Sequence, residues 1–296
     1  MKSYPECISC LFNQTLQAQQ TFSLSDEETR EVMNILGSSL RTFEEGISPP
    51  VIATVIQHEL ERLLDLEDPY RDIKNESSNR ILEFLDDVRH VIRSSADPLR
   101  SAVLLAIGGN AIDYGVFGNA VDVEKVIRDA LGTMESTEGA AHSLAYEEWK
   151  EHLSRSSRLL YILDNAGEVV FDRLLIETMK QKHPHLTVTV AVRNRPILND
   201  VTLSDAHFAG IDQVADTLVV SACDSAGAVI RQSGPAMQRA YHDADIIVAK
   251  GQGNYEAMSE EKGPVYFFLK VKCPAVSRET GEPVGTYLLK RGRSFQ

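Results

Sequence analysis

Asp164, Asn165 and Glu168 fall within five residues, Asp164-Asn165-Ala166-Gly167-Glu168. An apolar run, Leu159 to Leu163, precedes them and an amphipathic segment with Phe171, Leu174 and Leu175 follows. The first reads as a buried strand and the second as a helix. A strand-to-helix turn is a common seat for phosphate, because helix N-termini offer free N–H groups. Carboxylates there would repel a bare phosphate and attract a hard divalent cation, which takes oxygen ligands. Asp164, the Asn165 amide oxygen and a third carboxylate would hold one such ion, and Asp200 is the best third ligand. The ion would reverse the local sign and bridge protein to a substrate phosphate. Lys250 and the N–H groups of the Gly251–Asn254 loop, which includes Gly253, would grip the remaining phosphate oxygens. Each piece has a plainer use: Asp-Asn-Ala-Gly and Asn199-Asp200 are also turn and cap chemistry.

The elements that must position these groups follow from the apolar pattern. Leu159–Leu163, Leu186–Val192, Leu218–Val220, Ile246–Ala249 and Val265–Val271 are apolar, β-branched runs, most of them separated by helical segments. That rhythm predicts an α/β fold, a mostly parallel sheet with helices on both faces. Ligands bind such sheets beyond the C-terminal ends of the strands. Four exits in a row are polar or glycine-containing: Asp164/Asn165/Glu168; Arg193, Asn194, Arg195, Asn199 and Asp200; Cys223, Asp224, Ser225 and Gly227; and Lys250, Gly251, Gly253, Asn254 and Glu256. Thr202 with Asp205 reads as the capping box of the next short helix. "GQGNYE" is not a dinucleotide fingerprint, because its last position is Glu256.

Residues 1–152 read instead as a helical region or cap, and residues 153–296 as the α/β domain that carries the site. Ser25 and Glu28 form a capping box before Thr29–Phe43. Pro49 and Pro50 introduce a helix through Leu64. Ile81, Leu85, Val88 and Ile92 continue the period, and an apolar helix from Pro98 is interrupted at Gly108-Gly109. The boundary near 150 separates two textures and leaves open whether they fold as one unit.

The 296 residues carry a formal charge of −13, with 43% hydrophobic and 25% charged residues. That is the composition of a globular protein, and the charge argues against a nucleic-acid partner. No apolar stretch reaches membrane-spanning length. Pro5 and Glu6 stand where a signal peptide would carry its apolar region, so a cytoplasmic location is expected. Four cysteines are too few for a disulfide scaffold. Cys7 and Cys10 form a lone C-x-x-C without the second half of a zinc site, and are expected to be reduced structural thiols.

"LDNAGE" with "FDRLLIE", then "RNRPILNDVT", then "AKGQGNYE", resembles the metal-dependent damage-control phosphatases, long known as domain of unknown function 89. "CISC" and "GGNAIDYG" resemble its prokaryotic branch. The resemblance implies a three-layer α/β/α sandwich with a helical N-terminal region. It implies one divalent metal (magnesium, manganese, cobalt or nickel) on Asp164, Asn165 and Asp200, with Lys250 on the phosphate. Its members hydrolyse phosphorylated metabolites, often sugar phosphates or damaged by-products. The expected reaction is therefore phosphomonoester hydrolysis at a metal-polarised phosphate. Lys250, helped by Arg193, would stabilise charge on the equatorial oxygens. Glu168 would be a base or orienter, and Asn110 and Asp113 would reach in from the helical part. Asp164 as a covalent nucleophile is disfavoured, since the D-x-D arrangement is absent and residue 166 is alanine. Two alternatives stand beside this: an adenosyl-methionine-dependent carboxyl methyltransferase, and a non-catalytic metal- or thiol-binding protein centred on Cys7 and Cys10.

Overall fold

The apolar runs form strands within a residue or so of where the pattern puts them. A computed structural model describes residues 1–40, 47–109 and 139–293. Strands β1 (Arg158–Ile162), β2 (Thr187–Val192), β3 (Thr217–Val220), β4 (Ile246–Lys250) and β5 (Val265–Lys270) are mutually parallel. A sixth, β6 (Tyr287–Arg291), pairs antiparallel with β5. Sequence periodicity passes β6 over, because only Leu288 and Leu289 are buried in a strand that ends in Lys290 and Arg291. Basic residues of this kind are typical of an edge strand.

The spatial order is β3-β2-β1-β4-β5-β6. Chain order runs outward in one direction from β1 and in the other from β4. The crevice between the C-terminal ends of β1 and β4 is therefore the topological switch point, where open α/β sheets bind ligands.

Both faces of the sheet are covered, so alternate residues of one strand enter different cores. Leu159 and Tyr161 pack with α6 (Pro98–Gly109), α7 (Gly139–Arg155) and α8 (Val169–Lys182). Leu160 and Ile162 pack with α10 (Pro235–Asp243), α11 (Gly251–Met258) and α12 (Pro274–Thr280). A short α9 (Leu203–Phe208) follows β2. Helices α1 (Pro5–Phe22), α2 (Asp26–Ser39) and α3 (Pro49–Leu64) build a third core of their own around Val32, Leu36, Ile56 and Leu60. The expected box closes the start of α2: Glu28 N–H donates to Ser25 Oγ, and Ser25 N–H to the Glu28 carboxylate.

The segment read as one continuous helical pattern is two helices, α4 (Arg71–Leu82) and α5 (Leu85–Ser94). A tight turn, Phe84 N–H to Ile81 O, breaks them apart. The apolar period survives the break because Ile81, Val88 and Ile92 all enter the core that α6 to α8 share with the sheet. The pattern recorded the burying surface, not backbone continuity. That same core runs across residue 150, so the change of sequence texture is not a change of core. No helix among the described residues is long and apolar enough to cross a membrane.

Candidate active site

The acidic turn starts where β1 ends and is laced to the loop after β2. Val201 N–H donates to Asp164 O at 2.8 Å, and Ala166 N–H to Asn199 O at 2.9 Å. Between these bonds an antiparallel bridge pairs Asn165 with Asp200. Asp164, Asn165 and Asp200, distant by up to 36 positions in sequence, are thus brought together on two joined segments, and all three are buried. Asn165 Nδ2 donates to Asp164 Oδ2 at 2.8 Å, so Oδ1 is its atom able to ligate a cation.

On the other side of the crevice α11 begins directly at the end of β4. Gly251 has φ +74°, and a Cβ built there would lie 1.7 Å from Asp164 Oδ2. Only glycine permits this approach, which sets the first turn of α11 against the carboxylate. Burial holds the Asp164 carboxyl well above its usual range, and the neighbouring Glu168 and Asp200 carboxylates push it further. Burial likewise pushes Asp200 up to about 6, against the pull of Arg193.

The two cations expected to face a phosphate are engaged within the protein. Arg193, 2% exposed, donates Nε to Asp200 Oδ2 at 2.6 Å and Nη2 to Asn254 Oδ1 at 3.0 Å and Ala226 O at 3.1 Å. Asn254 gives Nδ2 to Leu163 O and Lys250 O, and its Oδ1 also accepts Ala228 N–H. Arg193 and Asn254 are therefore struts, and together they tie the exits of β1, β2, β3 and β4. Those four exits do converge, but these side chains hold them together where a phosphate grip was expected.

Lys250 differs from expectation in the same way. Its Nζ, wholly buried, lies 2.8 Å from Ala106 O, 2.9 Å from Glu168 Oε1 and 2.8 Å from Asp172 Oδ1. Those three acceptors match its three N–H donors, so a direct bond to phosphate would displace one of them. Burial opposes its charge, yet Asp172 and Glu168 hold the ammonium above its ordinary range. Tyr161 Oη donates to Asp172 Oδ1 at 2.6 Å, and burial pushes Asp172 up to about 6 against the pull of Lys250. Glu168, at the end of the acidic turn, joins this buried set to Asp164. Asn110 and Asp113 lie outside the described residues.

Sequence reasoning missed Asp172, Tyr161 and Lys272. Asp172 stands between Val169 and Ile176 on the buried stripe of α8, and an acid on an apolar stripe is a signal. Lys272 follows β5, the fifth parallel strand, whose exit was not read with the other four. It is half-buried, its charge favours the ionised form of Asp164, and its N–H donates to Gln252 Oε1 at 3.0 Å.

The donors suit a hard cation. They are all oxygen, two carboxylates and an amide, and water and phosphate oxygens would complete the shell. Among the described residues no three His, Cys, Asp or Glu side chains form a complete cage. Around the crevice the described residues are predominantly acidic: Asp164, Glu168, Asp172 and Asp200 are buried with Arg193 and Lys250, while a third buried cation, Lys74, acts on Asp200 but is itself paired with Asp68 and Asp205. A cation held among these carboxylates would relieve their mutual repulsion.

Cys7 is buried in the core near α11 and α12, and its Sγ accepts Tyr4 N–H at 3.5 Å. Cys10 is exposed, and both thiols are free. Replacing both with serine should lower the melting temperature modestly and leave hydrolysis of a phosphate ester intact. Complete loss of activity in the folded double variant would count against a structural role.

Comparison with known proteins places this chain in a group. Residues 3–288 match the damage-control phosphatase ARMT1-like domain. The chain is 34% identical to a protein named damage-control phosphatase from Archaeoglobus fulgidus, covering 98% of this chain and 99% of that one. It is 31% identical to a damage-control phosphatase of Pyrococcus horikoshii, with 99% of each covered. An uncharacterized protein of Methanocaldococcus jannaschii is 32% identical, over 98% of this chain and 96% of that one. The crystal structure of a Pyrococcus horikoshii protein of the domain of unknown function 89 family superposes with a TM-score of 0.84 at 29% identity, covering 99% of this chain and all of that one.

Proposed function

This chain belongs to the damage-control phosphatase ARMT1-like domain family, and we propose that it hydrolyses phosphomonoesters of small metabolites with one divalent ion on Asp164, Asn165 and Asp200. Sugar phosphates and damaged phosphometabolites are the substrate classes, and magnesium, manganese, cobalt or nickel the ion. The joining of Asp164, Asn165 and Asp200, three buried oxygen donors, on two bridged segments at the switch point carries this reading. When bound, the ion polarises the phosphate and lowers the cost of bringing a water to it.

The chain's own residues divide the remaining work. Asp164 and Asp200 bind through carboxylate oxygens, and Arg193 fixes the rotamer of Asp200. Glu168 orients or deprotonates the attacking water, and Lys250 holds Glu168 in place from behind. The first-turn N–H groups at Gly251 and Gly253 take phosphate oxygens, as helix N-termini do. Lys272, half-buried at the fifth exit and near enough for its charge to act on Asp164, supplies a positive charge toward the phosphate.

Lys272→Ala should lower turnover by about a hundredfold, the scale for losing one preorganised donor. Inhibition by inorganic phosphate should weaken, with metal affinity and melting temperature near wild type. Unchanged turnover and unchanged phosphate inhibition would remove Lys272 from the site. The reading as a whole is tested by a screen of phosphorylated metabolites, run metal-free and then with each ion. Hydrolysis that appears only with added metal is expected. No turnover with any ion, together with a melting temperature raised by adenosyl-methionine alone, would overturn it.

A further inference from the structure

We propose that Lys74, on α4 of the helical region, is a positioning residue for the segment that carries Asp200; this rests on the metal-dependent reading above. Helix α4 is polar where it is buried: Lys74, Ser77 and Ser78 are buried beside Ile81. Lys74 is 1% exposed, and its Nζ lies 2.6 Å from Asp68 Oδ2 and 2.8 Å from Asp205 Oδ2. A lysine this deep is rare unless paired, and the pairing leads toward the site.

Asp205 Oδ2 also accepts Thr202 N–H at 2.8 Å and the Thr202 hydroxyl at 2.6 Å. Thr202 is bridged to Arg193 in parallel register, and Val201 N–H is bonded to Asp164 O. Asp200 therefore sits in a segment held from one side by Arg193 and from the other by the chain Lys74, Asp205, Thr202. The same helix reaches the first acidic turn, where Gly167 N–H donates to Ser78 Oγ at 3.1 Å. Helix α3 adds a further tie: Leu198, with φ +50°, donates its N–H to Gln57 Oε1 at 2.8 Å. Helices from the N-terminal region thus hold both segments that carry the proposed ligands. A methionine could fill the volume of Lys74 but could not fix the Asp205 carboxylate, because only a charged donor gives that bond direction and strength.

The test uses the full chain, stripped of metal, with manganese affinity read by calorimetry and stability by the melting temperature of the metal-free protein. Lys74→Met should weaken manganese binding about 10- to 100-fold, the range for partners that orient metal ligands. Asp68→Asn removes the partner remote from Asp200; it should lower the melting temperature and leave manganese affinity unchanged. The double variant Lys74→Met with Asp68→Asn leaves fewer unpaired buried charges and should show the same loss of affinity. Wild-type affinity in either Lys74 variant would overturn the proposal, as would affinity that follows melting temperature equally in all three. Failure of the wild type to bind any divalent ion would instead overturn the metal-dependent reading, and this inference with it.

Discussion

Asp164→Asn should abolish hydrolysis of a phosphate ester and leave the metal-free protein at least as stable as wild type. The two effects have one cause. Asp164 is buried beside Glu168 and Asp200, and its carboxyl is held well above the usual range by burial and by those two like charges. An amide of the same shape ends that repulsion. It also makes a poor ligand for a hard dication. Because partners behind a metal ligand already account for up to about a hundredfold, loss of a direct ligand should exceed that. Wild type should gain melting temperature with added manganese by mass action and the variant should not.

The pH dependence has a definite sign. A carboxyl whose folded pKa is raised binds more protons folded than unfolded above about pH 3.9. Its contribution to stability therefore falls as pH rises from there through the folded pKa. The stability of Asp164→Asn relative to metal-free wild type should grow over that interval. Asp200→Asn should also lose activity but with the opposite effect on stability, since it strips the buried Arg193 of its ion pair. Breaking such a pair from one side costs about 3–5 kcal/mol. Near-normal turnover in either variant would sink the ligand assignment.

The parts of this site that were legible in sequence are those set by local rules. A β-branched run ends, a polar residue follows, and a parallel sheet gathers such ends on one edge. Asp164, Asn165 and Asp200 are singled out this way as candidates, and backbone bonds between their segments bring them together. Side-chain partnership was not legible, because it is decided by residues far away in the chain. The acceptors of Lys250 come from α6, 144 positions away, and from the start of α8, 82 positions away. Nothing near Lys250 in sequence distinguishes a lysine at the mouth of a crevice from one sealed behind it. The partners of Arg193 are hidden for the same reason, and Lys74 is not marked out in sequence because a polar residue on a helix is ordinarily exposed.

Lys250 gives the sharpest test of that distinction. If its ammonium touched phosphate, Lys250→Ala would be a catalytic lesion in a stable protein, with phosphate inhibition weakened. The bonds to Ala106 O, Glu168 and Asp172 predict a different variant. Removing the ammonium leaves two buried carboxylates, Glu168 and Asp172, close to each other, and among the described residues Asp172 Oδ2 already lacks a hydrogen-bond partner. It also takes away the donor to Ala106 O of α6. The expected cost is about 3–5 kcal/mol, as for other buried pairs broken from one side. Lys250→Arg should not rescue, because a planar fork cannot meet three acceptors arranged around a point charge. Adding Asp172→Asn to Lys250→Met should recover part of the lost melting temperature, since one of the two neighbouring buried negative charges is then gone. Activity should stay low in the double variant, because Glu168 still lacks the group that holds it beside Asp164. Phosphate inhibition, measured on whatever folded fraction retains turnover, should keep its wild-type strength. A Lys250→Ala protein with the wild-type melting temperature and weakened phosphate inhibition would return Lys250 to the substrate's side of the crevice.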